Sequence, residues 1–413
     1  MSLVFAALLL VQADTVRLPS DTMLSRVLTR APGVSAALLR SDAATARAAQ
    51  ARAFTNPGLS VNVDNLGAEE EVTNISGWRG VEGQAVLTFD VPLGGDRRAR
   101  IAAADAGRQG AEAQARLAVA DAVVQAVDAV AAARRDERLA RQASTEVATL
   151  VELSTALRAQ SAAGRASEGD AARARLALSV ARERLARHEA QATESRARVA
   201  LMVGEPPDTP LQVVGGSCPV PAATPGALPP PEIALAEARN AGGAANLDRA
   251  LAGRIPDISP EVGLRRTMGV EALYAGFSVG LPLFDRQSRA VDAARSEARA
   301  ADAEARDVRR QLAADRAAAD AAFDAHSDAG SHFTAPGWAA DLERAVESVE
   351  ARWQLGEGTL MELLDGRRAR LEALAARERW AAAWLVARAR ARRYGGAEPT
   401  PDLFCEPLRR QTP

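Results

Sequence analysis

The pattern G-x-x-[S/T]-x-x-[D/E] occurs twice, as Gly164 to Asp170 (GRASEGD) and as Gly356 to Glu362 (GEGTLME), 192 residues apart (356 minus 164). In each copy the glycine ends one helix, because it takes left-handed backbone angles without strain. The hydroxyl residue, Ser167 or Thr359, is placed to cap the next helix. The acid three positions on, Asp170 or Glu362, completes a capping-box pattern and complements the helix dipole. Each copy therefore reads as the tight bend of a helical hairpin. A chain that makes one hairpin twice reads as an internal duplication.

The flanking sequence extends this reading. Between Arg97 and Ala163 there is no proline, and glycine occurs only at Gly107 and Gly110. As one helix this stretch would be about 100 Å long. The return helix from Ser167 to Val203 places Ala171, Ala174, Leu178, Ala181, Leu185, His188, Ala192 and Val199 on alternating three- and four-residue steps, a coiled-coil seam. It ends at Gly204, and 192 residues later the second return helix ends at Gly396 (396 minus 204). Alanine is abundant and aromatic residues make up 4% of the chain, which suits long helices packed closely side by side.

Ahead of each hairpin lie two runs of alternating apolar and polar residues. The first repeat, 14–215, has strands at about 58–65 and 84–92 and a hairpin at about 97–204. The second, 216–396, has strands at about 257–266 and 272–283 and a hairpin at about 287–395. A helix is expected before each strand pair, at about 22–53 with a break at Pro32, and at about 232–254. Pro92 to Gly95 (PLGG) and Pro282 to Asp285 (PLFD) form matching strand-to-helix corners, and the outgoing helix of the second hairpin is expected to break near Gly330 to Gly337. An acidic, glycine-rich loop from Gly67 to Gly80 contains Trp78. The linker after Gly204 carries Cys218, and the tail, 397–413, carries Cys405.

Residues 1–13 form an apolar run ending in a small-residue pattern before Asp14, which reads as a secretory signal; no basic residue precedes it. A buried N-terminal helix is the other reading of that run. No cysteine follows the cleavage point to anchor a lipid, and no later segment approaches the twenty apolar residues of a membrane-spanning helix. In an exported chain the two cysteines fit one disulfide, Cys218 to Cys405, stapling linker to tail. The net charge of −2, with every basic residue an arginine, gives no reason to expect nucleic acid.

Strands of about ten residues with one apolar face fit outer-membrane β-barrels, and equally a soluble hairpin with one wet face. The duplication and the export signal favour the barrel. Four strands cannot close one, and an open edge cannot sit in lipid, so several chains must share it. Three would supply twelve strands. The expected fold is mainly α with a small β part: a duplicated helix, strand, strand and long helical hairpin, trimerising into a twelve-stranded outer-membrane barrel continued by a periplasmic α-helical barrel.

The bends, the order of elements, Asn56 to Ser60 (NPGLS) and the two corners resemble the TolC-like outer-membrane efflux proteins. The corner Val91 to Arg100 (VPLGGDRRAR) resembles most the CzcC/CusC branch, which serves heavy-metal efflux. The resemblance implies a homotrimeric channel in outer-membrane lipid. A periplasmic adaptor and an inner-membrane pump of the resistance-nodulation-division type would dock at its tip. It implies that Gly164, Ser167, Gly356 and Thr359 form the bends that meet the adaptor. It also implies that Asp170, Trp353, Glu362 and Asp365 form the periplasmic gate, with Glu362 and Asp365 as acidic rings. Gly358 departs from the family, some of whose members carry an arginine there. Each acid also has a local reading as a solvated helix terminus serving its own cap.

Other chemistry is sparse. The histidines are His188, on the seam, and His326 and His332, with Asp324 and Asp328 nearby; their spacing matches no standard metal-ligand pattern. No nucleophile elbow, phosphate loop or dinucleotide fingerprint is present, so neither an enzyme nor a bound cofactor is expected. Multidrug efflux or type I protein secretion on the same fold is the near alternative. A soluble periplasmic coiled-coil adaptor is the alternative of another class, and it would need one hairpin, not two.

Overall fold

The computed structural model describes residues 16–64, 82–209, 211–214, 229–267, 269–281 and 284–405. The expected signal segment, the loop with Trp78, Cys218, Pro282 and the end of the tail lie outside them. The order is β1 (Val16–Pro19), α1 (Ser20–Arg30), α2 (Val34–Arg52), β2 (Gly58–Asp64), β3 (Glu82–Thr88), α3 (Asp96–Ala162) and α4 (Glu168–Val203). Then come β4 (Leu211–Val214), α5 (Pro231–Ala252), β5 (Ile258–Thr267), β6 (Val270–Val279), α6 (Ser288–Thr334), α7 (Trp338–Gln354), α8 (Leu360–Tyr394) and a 3-10 turn, Pro401–Phe404. The fold is mainly helical with a small sheet part. It divides into two units: residues 37–115 with 231–310, and residues 1–36 with 116–230 and 311–413.

The first unit holds an antiparallel sheet in the order β2-β3-β5-β6, with β2 and β6 at its edges. Register places Leu59, Leu87, Val262 and Ala275 in one row, and Val61, Ala85, Leu264 and Leu273 in another. Side chains in a row share a face, so these two rows are apolar from edge to edge, while the next row on that face carries Val63, Gly83, Arg266 and Glu271. The rows between carry Ser60, Asn62, Gln84, Thr88, Glu261 and Arg265 on the other face, together with Tyr274 and the buried Val86. The apolar face is open: Leu59 is 69% exposed, Val61 62%, Leu273 74% and Phe277 73%.

Two of the strands are displaced from their expected bounds. β3 ends its pairing with β2 at Thr88, opposite Gly58, instead of running to residue 92. Its backbone continues to bond β5: Phe89 N–H donates to Pro260 O (3.0 Å), and Val91 pairs with Ile258. β5 and β6 turn at Gly269 and are in register from Thr267 and Val270 onward, so β6 starts and ends earlier than the expected 272–283. Beneath the sheet in the same unit, α5 is fitted by small residues. A Cβ on Gly243 would sit 3.3 Å from Ala298 Cα, and one on Gly110 would sit 3.6 Å from Ala238 Cβ. Alanine and glycine thus let α3, α5 and α6 approach closely.

The spacing of 192 recurs in the hydrogen bonds. Arg165 N–H donates to Gln160 O (2.8 Å), and Glu357 N–H donates to Arg352 O (2.9 Å). Glu205 N–H donates to Ala200 O (2.9 Å), and Ala397 N–H donates to Arg392 O (3.1 Å). These six-to-one bonds close the same helix-ending turn four times, over Gly164, Gly356, Gly204 and Gly396, whose φ values lie between +70° and +75°. α3 starts at Asp96 and the second outgoing helix at Ser288, again 192 apart (288 minus 96). The corners are corrected by this register. Gly95 (φ +86°) corresponds to Gln287 (φ +58°), not to Asp285, so two more residues separate Pro282 from its helix than separate Pro92. Asp285 supports the longer corner by accepting from Gln287 N–H at 2.8 Å.

The outgoing helix of the second hairpin breaks at the end of the expected span. α6 runs through Gly330 to Thr334, and the break is Ala335 to Gly337. Gly330 lies inside α6 with Trp380 of α8 against it, leaving no room for a Cβ.

The core of the helical unit gathers Met23, Val27, Val34, Val127, Val130, Val199, Val203, Leu385 and Phe404. Two elements there were not expected. β1 and β4 pair in parallel, Val16 with Leu211 through Pro19 with Val214, so the linker after Gly204 is partly a strand. The tail folds back as the 3-10 turn, with Phe404 fully buried and its carbonyl accepting from Arg134 Nη1 (2.7 Å). Asp402, also buried, pairs with Arg388, with Arg392 (2.6 Å) and with the Thr400 hydroxyl. Burial pushes the Arg388 guanidinium below its ordinary value, which Asp402 opposes.

Replacing Asp402 by Ala leaves two guanidinium groups without their anion, one of them buried, and should cost about 3–5 kcal/mol. Asp307→Ala, which removes an exposed pair with Arg310, should cost no more than about 0.5 kcal/mol. Thermal midpoints of the helical far-ultraviolet signal check the contrast; equal shifts would mean that Asp402 is not a structural anchor.

Candidate functional site

The two bends lie in the helical unit and meet in one apolar cluster. Leu157, Ala171, Ala174, Leu360 and Leu363 are buried in it, with Leu153, Ala166, Val349, Trp353 and Leu364 packed against them. Helices from both hairpins contribute. Trp353 is half-buried in this cluster, one turn before the Gly356 bend. Among the candidate gate residues it is the one placed against both hairpins.

The acids serve their own bends. Ser167 Oγ accepts from Asp170 N–H (3.0 Å), while the Asp170 carboxylate turns to Arg173 at 3.4 Å. At the second bend the capping box closes fully. Thr359 Oγ1 accepts from Glu362 N–H (3.2 Å), and Glu362 Oε2 accepts from Thr359 N–H (3.1 Å). Glutamate has the extra methylene needed to reach back to the cap; aspartate lacks it. Glu362 also lies 3.6 Å from Arg352, and Asp365, one turn further along α8, is exposed with no ion-pair partner among the described residues.

Glycine at 358 has a local cause. Its N–H donates to Arg352 O (3.1 Å), and a Cβ there would stand 3.2 Å from Trp353 N. A side chain at this position would crowd the last turn of α7.

A set of ion pairs holding α8 in place was not anticipated from the sequence. Arg367 bridges Glu146 of α3 (3.5 Å) and Glu350 of α7, and Arg370 pairs with Glu343 of α7 (2.8 Å). Arg138 of α3 pairs with the buried Glu378 of α8 (2.9 Å). The sequence carried no signal for these pairs, because they depend on which helix lies beside α8 and in what register.

Among the described residues no group of three or more His, Cys, Asp or Glu side chains could hold a metal ion. His188 Nδ1 lies 3.1 Å from Gln191 Oε1, and the His326 carbonyl accepts from Trp380 Nε1 (2.7 Å). His326, Asp324 and Asp328 lie inside α6 and not at its break. No helix of the described residues is long and apolar enough to cross a membrane. Cys405 is buried and disulfide-bonded.

The caps differ in a way that mutation can read. Glu362→Ala removes one bond of a reciprocal pair and should loosen its bend by about 1 kcal/mol, whereas Asp170→Ala should cost less than about 0.5 kcal/mol. Hydrogen exchange of the first turns of α4 and α8 measures this directly. Equal losses at the two bends would show that the back-bond from Glu362 carries no weight.

Residues 23–205, a little under half of the chain, match the family described as outer membrane efflux protein. A search of curated proteins finds no match. Among solved structures, a membrane protein from Pseudomonas aeruginosa is 20% identical, with a TM-score of 0.78 over 91% of this chain and 93% of its own. The outer-membrane channel OprN is 21% identical, with a TM-score of 0.74 over 92% of this chain and 90% of its own. CusC is 17% identical, with a TM-score of 0.74 over 92% of each chain. Residues 23–205 thus match that family by sequence, and the described chain shares the fold of these solved structures.

Proposed function

We propose that this chain is the outer-membrane channel of a tripartite efflux system, a passive exit duct with no catalytic step. The observation that carries the reading is the sheet. Its apolar rows run from β2 to β6 and are solvent-exposed on β2, β5 and β6, its other face is mostly polar, and β2 and β6 are open edges. In lipid that face is satisfied, but the edges are not, since an unpaired backbone group in hydrocarbon costs several kcal/mol. Pairing β6 of one copy with β2 of the next removes the edges, and three copies give twelve strands around a polar lumen. A soluble adaptor would have no use for the open apolar face.

On this reading the two halves are a duplication, and the bends at Gly164, Ser167, Gly356 and Thr359 meet a periplasmic adaptor, which couples the duct to an inner-membrane pump. Three copies each of Asp170, Glu362 and Asp365 would line the narrow end and concentrate negative potential there. The corner from Val91 to Arg100 favours the heavy-metal branch and hence a cation cargo, delivered by a pump of the resistance-nodulation-division type. Multidrug efflux or protein secretion would use the same duct, because the pump selects the cargo. Cys405 pairs with Cys218, the other cysteine of the chain, and ties the linker to the tail.

Cell fractionation and detergent extraction test the reading. The expected result is an outer-membrane particle of about three times the 43.3 kDa chain mass, while a periplasmic monomer would end it. In planar bilayers, the paired change Glu362→Gln with Asp365→Asn should lower cation selectivity at least about twofold. Unchanged selectivity would remove both acids from the pore.

A further inference from the structure

The corner below the sheet is built twice, but only the first has its neighbour within the chain. After β3 the chain leaves the sheet through Pro92 to Gly95 and packs against the end of α5, where Ala252 O leaves no room for a Cβ on Gly94. The second corner, between β6 and α6, lies 192 residues on, so Gly94 corresponds to Arg286 (94 plus 192). The counterpart of Ala252 is Arg52. Each ends the helix ahead of a strand, six residues before Ile258 or Gly58 (258 minus 252; 58 minus 52). Within one chain Arg286 and Arg52 belong to opposite edges of the sheet, β6 and β2.

The same two places carry the most exposed large apolar side chains among the described residues: Phe284 in the second corner (102%) and Phe54 just after α2 (81%). Arg97 lies over one face of the Phe54 ring, 4.6 Å from its centroid, and donates to Arg52 O (2.6 Å). The ring is thus backed by a fixed guanidinium on one face and open on the other. In a chain with so few aromatic residues, two bare rings at the feet of two bare sheet edges need a common cause.

Register supplies one. When β6 of one copy pairs with β2 of the next, only even slips keep the apolar faces aligned, because an odd slip turns every side chain over. Setting Val279 beside Leu59 of the next copy, and Phe277 beside Val61, keeps the apolar rows continuous; both pairs of positions sum to 338 (279 plus 59; 277 plus 61). Within a chain, Gly58 and Gly276 share a row and sum to 334, so the pairing slips by four residues per copy (338 minus 334). For twelve strands that slip gives a tilt of about 35°, within the range of natural barrels. Positions 284 and 54 also sum to 338, as do 286 and 52, the pair to which the first corner corresponds. We propose that Phe284 of one copy packs on the open face of Phe54 in the next, so that each junction of the shared barrel is closed by a ring from either side and backed by Arg97. The exposure of both rings is then a property of the separate chain, which assembly ends. The proposal rests on the shared-barrel reading and names the contact that completes it.

Cross-linking tests the contact in the full-length protein, extracted from the membrane in mild detergent. Oxidation, or a short bismaleimide linker, should join Phe54→Cys with Phe284→Cys into covalent multi-chain species on non-reducing electrophoresis, and neither single variant should be joined. A particle that keeps its oligomeric mass while its chains stay separate would overturn the contact and leave the channel reading standing, with the rings turned toward lipid instead. A monomer would end both. Thermal dissociation of the particle gives a second readout that needs no cross-link. Phe54→Ala and Phe284→Ala should each lower the dissociation temperature, and the double variant should fall short of the sum of the two shifts, because both changes remove the same contact. Additive shifts would overturn the proposal.

Discussion

A sheet with one apolar face and two open edges is unsatisfied in either solvent. In water, Leu59, Val61, Leu273 and Phe277 stand exposed on one continuous face; in lipid, the backbone groups of β2 and β6 have no partner. Both demands are met together when sheets from several copies join edge to edge with their apolar faces outward. Every other feature of the chain is compatible with that requirement. The four strands are short and regular, the polar rows face away from the apolar ones, and the strand-to-helix corners at Gly95 and Gln287 return the chain to helix in the same register.

The helices solve a different problem with a narrow set of side chains. Alanine and glycine permit close approach, as at Gly110, Gly243 and Gly330, but provide little apolar area for a core. Arginine supplies much of what is missing. Its planar fork bridges neighbouring helices, as Arg367 does between Glu146 and Glu350, and its long stem covers apolar surface. Where such a pair is buried, as Arg388 and Arg392 are with Asp402, it depends on every partner being present. The tail is therefore part of the fold, with Phe404 filling the core and Asp402 neutralising the guanidinium groups beside it.

Much of this was legible in the residues. The bends at Gly164 and Gly356 were readable because helix termination is local: a left-handed glycine, a hydroxyl cap and an acid act within one turn. The seam from Ala171 to Val199 was readable because burial on a helix follows its period, and Ala171, Ala174, Leu178, Ala181, Ala192 and Val199 are indeed buried. The strands were found for the same reason, but their ends were displaced, because a strand stops where its partner stops. The parallel pairing of β1 with β4 was missed, since four residues are too few to show a period and their partners are nearly 200 positions away.

The sequence alone determined the order of elements, the two hairpins, their common offset and the alternation of the strands, because each arises from interactions within a few residues along the chain. Tertiary structure decided the rest. It set Gly330 of α6 against Trp380 of α8, where no Cβ fits. It also set Arg367 between two helices and folded the tail onto Arg388. In each case the deciding partner lies on another element, and sequence periodicity carries no information about which remote groups will meet.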